Sequence, residues 1–222
     1  MPPTDPPTTR SDKHERILDA AIDVFAERGF HNARIADIAR KAGVADGTIY
    51  NYFHNKDDVL LSIFEEKMGQ MIDGITAALE GVDDPLQKVR VFALYHLGQV
   101  EKHRALAEVL QIELRLSHKF LKEYRPEKLW SYLNIFAGIV RDGQARGLVR
   151  PELDPFVLMW AFFGAMDESA IQWVLARKPE KFPLQATAET VADIFIRGMA
   201  TAPGQLVATP DRGGSANGSS NP

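Results

Sequence analysis

Apolar residues along this chain recur three and four positions apart, the spacing that lines up one face of an α-helix, and nowhere alternate as along a half-buried strand. Ile17, Leu18, Ala21, Ile22 and Phe25 form the first stripe and predict a helix from about Ser11 to Arg28, stopped by Gly29. Ile35, Ile38 and Ala39 predict a short second helix, Ala42-Gly43-Val44 a turn, and Ile49 with Phe53 a short third helix with one inward face. From Asp57 the series Val59, Leu60, Ile63, Phe64, Lys67, Met71, Ile75 and Leu79 keeps the period up to Gly81, which predicts one connector helix of about six turns. Asp84-Pro85 and Asp154-Pro155 each place a capping carboxylate before a proline in the first turn, so both read as helix starts, with Gly147 a stop between them. Further helices are predicted at about 85–102, 104–116, 118–146 with an interruption near Pro126, 154–177 and 183–200. The fold class is all-α.

Two short helices joined by a turn are a helix-turn-helix candidate, and the outward residues of the second one fit that use. Asp46, Gly47, Thr48, Tyr50 and Asn51 are small, hydrogen-bonding or aromatic, where a merely solvated helix carries Glu and Lys. Gly47 in the first turn lets the helix end approach a phosphate backbone. The run Ile38-Ala39, Ala42-Gly43-Val44, Gly47-Thr48-Ile49-Tyr50-Asn51-Tyr52-Phe53 and Lys56-Asp57-Asp58-Val59-Leu60 resembles the signature of the TetR family of bacterial transcriptional repressors.

The resemblance implies an N-terminal three-helix helix-turn-helix domain joined by a long connector helix to a helical ligand-binding and dimerisation domain. The corresponding divisions are a disordered arm at 1–10, a DNA-binding domain at 11–56, an effector-binding and dimerisation domain at 57–200, and a disordered tail at 201–222. It implies that Tyr50, Tyr52 and Lys56 position the protein on phosphates, leaving Thr48 and Asn51 for base edges. For Tyr52 a plain alternative stays open, a ring that caps the small core while its hydroxyl remains wet. The chain departs from the family at Ala33 and Ala45, where a capping Ser or Thr is usual. Asn32 can cap the second helix one residue early, Asp46 favours the dipole of the third, and Arg34 is the natural replacement for a lost phosphate donor.

Composition narrows the chemistry. A chain of 222 residues, 45% hydrophobic and 25% charged, can bury a sizeable core in one large or two modest domains. It has no cysteine, which excludes disulfides, thiolate nucleophiles and cysteine-bound metals and is compatible with a reducing, cytoplasmic setting. Met1-Pro2-Pro3-Thr4-Asp5-Pro6-Pro7 lacks the basic start and apolar core of a signal peptide. The longest apolar run, Phe156 to Met166, falls short of the ~20 residues of a membrane span, so no membrane partner is expected. The net charge of −4 argues weakly against nucleic acid, and residues 1–56 are neutral overall. Residues 31–56, however, carry Arg34, Arg40, Lys41 and Lys56 against Asp37 and Asp46, a small local basic excess.

Catalytic constellations are not found. There is no H-E-x-x-H pair, G-x-S-x-G elbow, phosphate loop or dinucleotide fingerprint, so catalytic residues, metal and cofactor are all read as none; a helical acyl-thioester enzyme is the rival from another class. His96 and His103 lie seven apart and can share a helix face. Asp167-Glu168, inside the most apolar helix, point about 100° apart and cannot easily share a proton; one is expected to face a pocket or the dimer interface and the other to find a partner.

Within the family, the second domain is most similar to the branch that regulates fatty-acid degradation and responds to long-chain acyl-coenzyme A. Glu65-Glu66-Lys67-Met68-Gly69-Gln70, Gln111-Ile112-Glu113-Leu114-Arg115, Tyr132-Leu133-Asn134-Ile135 and Phe163-Gly164-Ala165-Met166-Asp167-Glu168 with Trp173 carry that similarity. Such a ligand needs an apolar tunnel and cations for its phosphates. Leu110, Leu114, Phe136, Ile139, Phe163 and Trp173 are candidates for the tunnel, or else plain core. Arg104, Arg115, Arg141 and Arg146 are candidates for its mouth, or else surface ion-pairing groups. Asp167 and Glu168 leave open a drug-sensing repressor that binds cationic lipophiles. The resemblance further implies a homodimer on a palindromic double-stranded operator, the last two helices pairing with their mates through Phe156, Trp160, Phe163, Ile194 and Phe195.

Overall fold

The computed structural model describes residues 10–116 and 125–201. The predicted arm up to residue 9, the tail from 202, and the start of the 118–146 helix, with His118, lie outside the described residues.

Helices α1 (Arg10–Arg28), α2 (Ile35–Ala42) and α3 (Asp46–Tyr50) build the first unit. Their stripes meet in a core of Ile17, Leu18, Phe25, Ile38, Ile49 and Phe53, all almost fully buried. The α2–α3 turn is possible because Gly43 sits at φ 66°, a left-handed conformation costly for other residues, and its N–H turns back to the Ala39 and Arg40 carbonyls. Cap positions fall at Arg34 and Ala45, and neither side chain caps. Asn32 bonds back to the Arg28 carbonyl at 3.2 Å, so it closes α1 instead of opening α2, against expectation.

The connector α4 (Lys56–Leu79) opens on Asn55, whose side chain accepts from the Asp58 N–H at 2.9 Å. Twenty-four residues make it roughly 36 Å long. Val59, Leu60 and Ile63 belong to the first core, Met68 and Ile75 to the second, so one rigid element spans both. Helices α5 (Pro85–Lys102) and α9 (Pro155–Leu175) start on Asp84 and Asp154, each carboxylate accepting the N–H two residues on. Between them lie α6 (Arg104–Glu108), a π-helical turn (Val109–Glu113), α7 (Leu114–Leu116) and α8 (Glu127–Ala145). The expected continuous 104–116 helix is thus broken by a wide turn. Helix α10 (Leu184–Met199) packs chiefly on α5, and a lone bridge from Val149 to Ala200 ties its end to the chain after α8.

The second core is aromatic, with Phe92, Tyr132, Phe136 and Phe162 fully or nearly fully buried and Phe136 stacked on Phe162 at 4.1 Å. Gly74 lets α5 lie close to the connector, since a β-carbon there would collide with the Tyr95 hydroxyl. Within the protomer helix α9 is covered on part of its circumference only. It buries Met159, Phe162, Met166 and Trp173 but leaves Phe156, Val157, Trp160 and Leu175 exposed. Among the described residues no helix is long and apolar enough to cross a membrane.

Candidate DNA-binding surface and effector cavity

On α3 the apolar Ile49 points into the core, which turns Gly47, Tyr50 and Asn51 outward, with Thr48 half-buried and Tyr50 56% exposed. Arg34 is exposed at the start of α2, with no ion-pair partner among the described residues.

Tyr52 behaves as the plainer alternative describes. Its half-buried ring lies 5.8 Å from that of His14 and 6.2 Å from that of Phe53, and its hydroxyl donates at 3.3 Å to the Arg10 carbonyl.

Lys56 requires a correction. Its ammonium donates to the carbonyls of Phe30 at 2.5 Å, Ala33 at 2.9 Å and His31 at 3.2 Å, and sits 4.5 Å from the Phe30 ring centre. Three donors spent on three carbonyls leave none for a phosphate, so Lys56 pins the α1–α2 loop to the connector. Neighbouring cations are engaged too: Arg40 pairs with the buried Asp37, as does Arg28, and Lys41 with Asp23 and Glu27. The basic face is therefore narrower than the residue tally implied.

Below this unit lies a cavity of about 450 Å³ enclosed by α4, α5, α6 with its π-turn, α8 and α9. The connector supplies Phe64, Met68 and Met71, α5 supplies Tyr95, His96 and Gln99, and the α6 region supplies Leu106, Leu110 and Leu114. Leu129, Tyr132 and Phe163 complete the apolar wall, and Asp167 and Arg115 sit together on it, paired at 2.5 Å. Glu168 is exposed and accepts from the Gln172 amide.

Of the tunnel candidates Leu110, Leu114 and Phe163 border this cavity, and of the candidates for its mouth Arg115 does, engaged by Asp167. Phe136 and Ile139 are instead core, because α8 turns that face toward α9. Trp173 packs under Arg104, whose guanidinium lies 5.0 Å above the indole and donates to the Val174 carbonyl. Neither Arg141, exposed on α8, nor Arg146, held by Asp83 and Asp142, borders the cavity. The connector methionines and the α5 residues were missed as lining, although the seven-residue spacing of His96 and His103 marked one such face; both border the cavity.

His96 is buried, with Nδ1 2.8 Å from the Tyr132 hydroxyl. Burial pushes the phenol pKa well above its ordinary value, so the phenol stays protonated; it shares one hydrogen bond with Nδ1, its direction set by the imidazole tautomer, and Nε2 has no partner among the described residues. Burial also lowers the imidazole pKa to about 4, partly opposed by Asp167. The unfolded chain therefore takes up the proton first, near pH 6.5, and stability falls as pH drops from there toward 4. By pH 5 the loss from this group is about 2 kcal/mol. Denaturant midpoints at pH 7 and pH 5 should show it, and His96→Phe should remove that share.

A helix-turn-helix carried on a helical domain that encloses an apolar cavity defines a class, the ligand-responsive DNA-binding regulators. The chain belongs to the TetR family: residues 17–63 match the model of bacterial regulatory proteins of the tetR family, and 64–198 that of the YsiA-like protein C-terminal region. It is 37% identical to the fatty acid metabolism regulator protein of Bacillus subtilis over 187 residues, 84% of this chain and 95% of the relative. Two solved structures superpose with a TM-score of 0.78 at 37% identity. One is the fatty acid degradation regulator FadR of Bacillus halodurans, covering 88% of this chain and 98% of that one. The other is FadR of Bacillus subtilis in complex with stearoyl-CoA, covering 83% and 98%.

Proposed function

We propose that this protein is a homodimeric repressor of fatty-acid degradation genes, and that a long-chain acyl-coenzyme A in the cavity lowers its affinity for a palindromic operator. The observation that carries the reading is the cavity itself, about 450 Å³ and walled by Met68, Met71, Leu110, Leu129 and Phe163, in a chain 37% identical to a protein solved with stearoyl-CoA. Its volume lies low in the ~300–1,000 Å³ range of small-molecule sites, which suits an acyl chain with the nucleotide left outside. Asp167, the feature that pointed to cationic drugs, is neutralised by Arg115 and offers little to a cation.

Coupling runs through the connector, which lines the cavity at Phe64, Met68 and Met71 and supports α1 with Val59, Leu60 and Ile63. Two further contacts bind the same halves. The Phe30 N–H donates to Glu113 on the π-turn at 2.7 Å, and Lys67 pairs with Asp19 at 3.5 Å. A chain wedged against α4 tilts it, and two recognition surfaces so displaced no longer match successive major grooves, ~34 Å apart. Thr48 and Asn51 read base edges, while Arg34, Gly47 and Tyr50 hold phosphate.

Operator release tests the reading. Stearoyl-CoA should release the DNA, free coenzyme A should not, and shortening the chain should raise the concentration needed by roughly fourfold per methylene, since each buried methylene contributes ~0.8 kcal/mol. Release that ignores chain length would overturn it.

A further inference from the structure

A second cleft, of about 320 Å³, opens beside the acyl cavity and shares Lys67, His103 and Leu106 with it. One side is cationic, with Lys67 from the connector and Lys102 and Arg104, flanking His103, from the α5–α6 corner. The other side is α1 of the DNA-binding unit, which contributes Asp19 and Asp23. Lys67 spans both, its side chain only 15% exposed and its ammonium 3.5 Å from Asp19, which is 61% exposed. Arg104 is already held over Trp173, so its planar cation is pre-positioned.

We infer that this cleft receives the phosphates of the acyl-coenzyme A, and that they compete with Asp19 for Lys67. The inference rests on the acyl-coenzyme A reading above. A tail in the apolar cavity whose nucleotide leaves past the shared residues Lys67, His103 and Leu106 carries its phosphates to these cations, whereas Arg115 on the cavity wall is already paired with Asp167. The same phosphates face Asp19 and Asp23. Attraction to α4, α5 and α6 and repulsion from α1 act on opposite sides of one cleft, so binding loosens the DNA-binding unit from the connector that carries it. The ion pair thus latches the DNA-competent arrangement, and the effector's own charge opens it.

The test measures binding of stearoyl-CoA and of stearoyl-pantetheine, which keeps the tail and thioester but has no phosphate, with the full chain and with Asp19→Asn and Lys67→Met. Asp19→Asn should tighten stearoyl-CoA, and Lys67→Met should weaken it, each by roughly fivefold or more. Neither should move stearoyl-pantetheine by as much as twofold. In Asp19→Asn the ratio of stearoyl-CoA affinities without and with operator should shrink toward that of stearoyl-pantetheine. Equal effects on both ligands, or none on either, would overturn the phosphate site while leaving the acyl reading intact. Failure of both ligands to bind the unmodified chain would overturn the two together.

Discussion

Val157→Asp and Ile194→Asp, each alone, should turn the protein into a folded monomer that has lost its operator. Both residues are 62% exposed in the protomer, so an added carboxylate there costs the isolated fold little. Val157 shares α9 with Phe156, 53% exposed and stacked on Trp130, and with Trp160, edge-on to both, while Ile194 follows on α10, whose Phe195 packs edge-on against Phe162 of α9. Exposed large apolar side chains of this kind, on α9, α10 and the start of α8, mark an association surface. If a second copy covers it, burying an unpaired carboxylate there costs several kcal/mol of association. A monomer reads one half-site with one five-residue helix, so binding should fall to the non-specific level, roughly 10³-fold or more. Sedimentation and operator titration of the same samples check both halves. A dimer with normal operator affinity would place the interface elsewhere. Phe163, also among the residues the resemblance implies for the pairing, is a poorer choice, because its half-buried ring forms cavity wall and lies 6.2 Å from that of His96.

Leu110→Trp should give a repressor that no longer hears its effector. Leu110 is half-buried on the π-turn and faces the cavity, so an indole there fills space the acyl chain needs without displacing packed core. Operator affinity should stay within about twofold of the parent, and the stearoyl-CoA concentration for half release should rise by roughly 100-fold, the cost of excluding three or so methylenes. Unchanged release would mean that the chain lodges elsewhere.

The helical frame was legible because its stripes and caps are local: Asp84-Pro85, Asp154-Pro155 and the turn at Gly43 carry their structure in a few adjacent residues. The outward set on α3 was legible for the same reason, since Ile49 and Phe53 fix which face is free. What local pattern could not reveal was how helices rotate against one another. Phe136 and Leu110 are equally apolar, yet one stacks on Phe162 while the other borders the cavity. Charges misled in the same way. Lys56 looked like a phosphate ligand until the Phe30, His31 and Ala33 carbonyls, more than twenty residues away in sequence, were seen to converge on it. The π-turn at Val109–Glu113 has no distinct signature in its composition, and it turns Leu110 to the cavity while Glu113 holds Phe30.

If cavity and operator surface are two ends of one coupled body, each ligand must weaken the other by the same factor. The decisive measurement is the affinity for stearoyl-CoA of the free protein and of the protein saturated with operator, set beside operator affinity without and with saturating stearoyl-CoA. The two ratios should be equal, each within roughly 5- to 150-fold. Stearoyl-CoA that binds free and operator-bound protein equally well would contradict it.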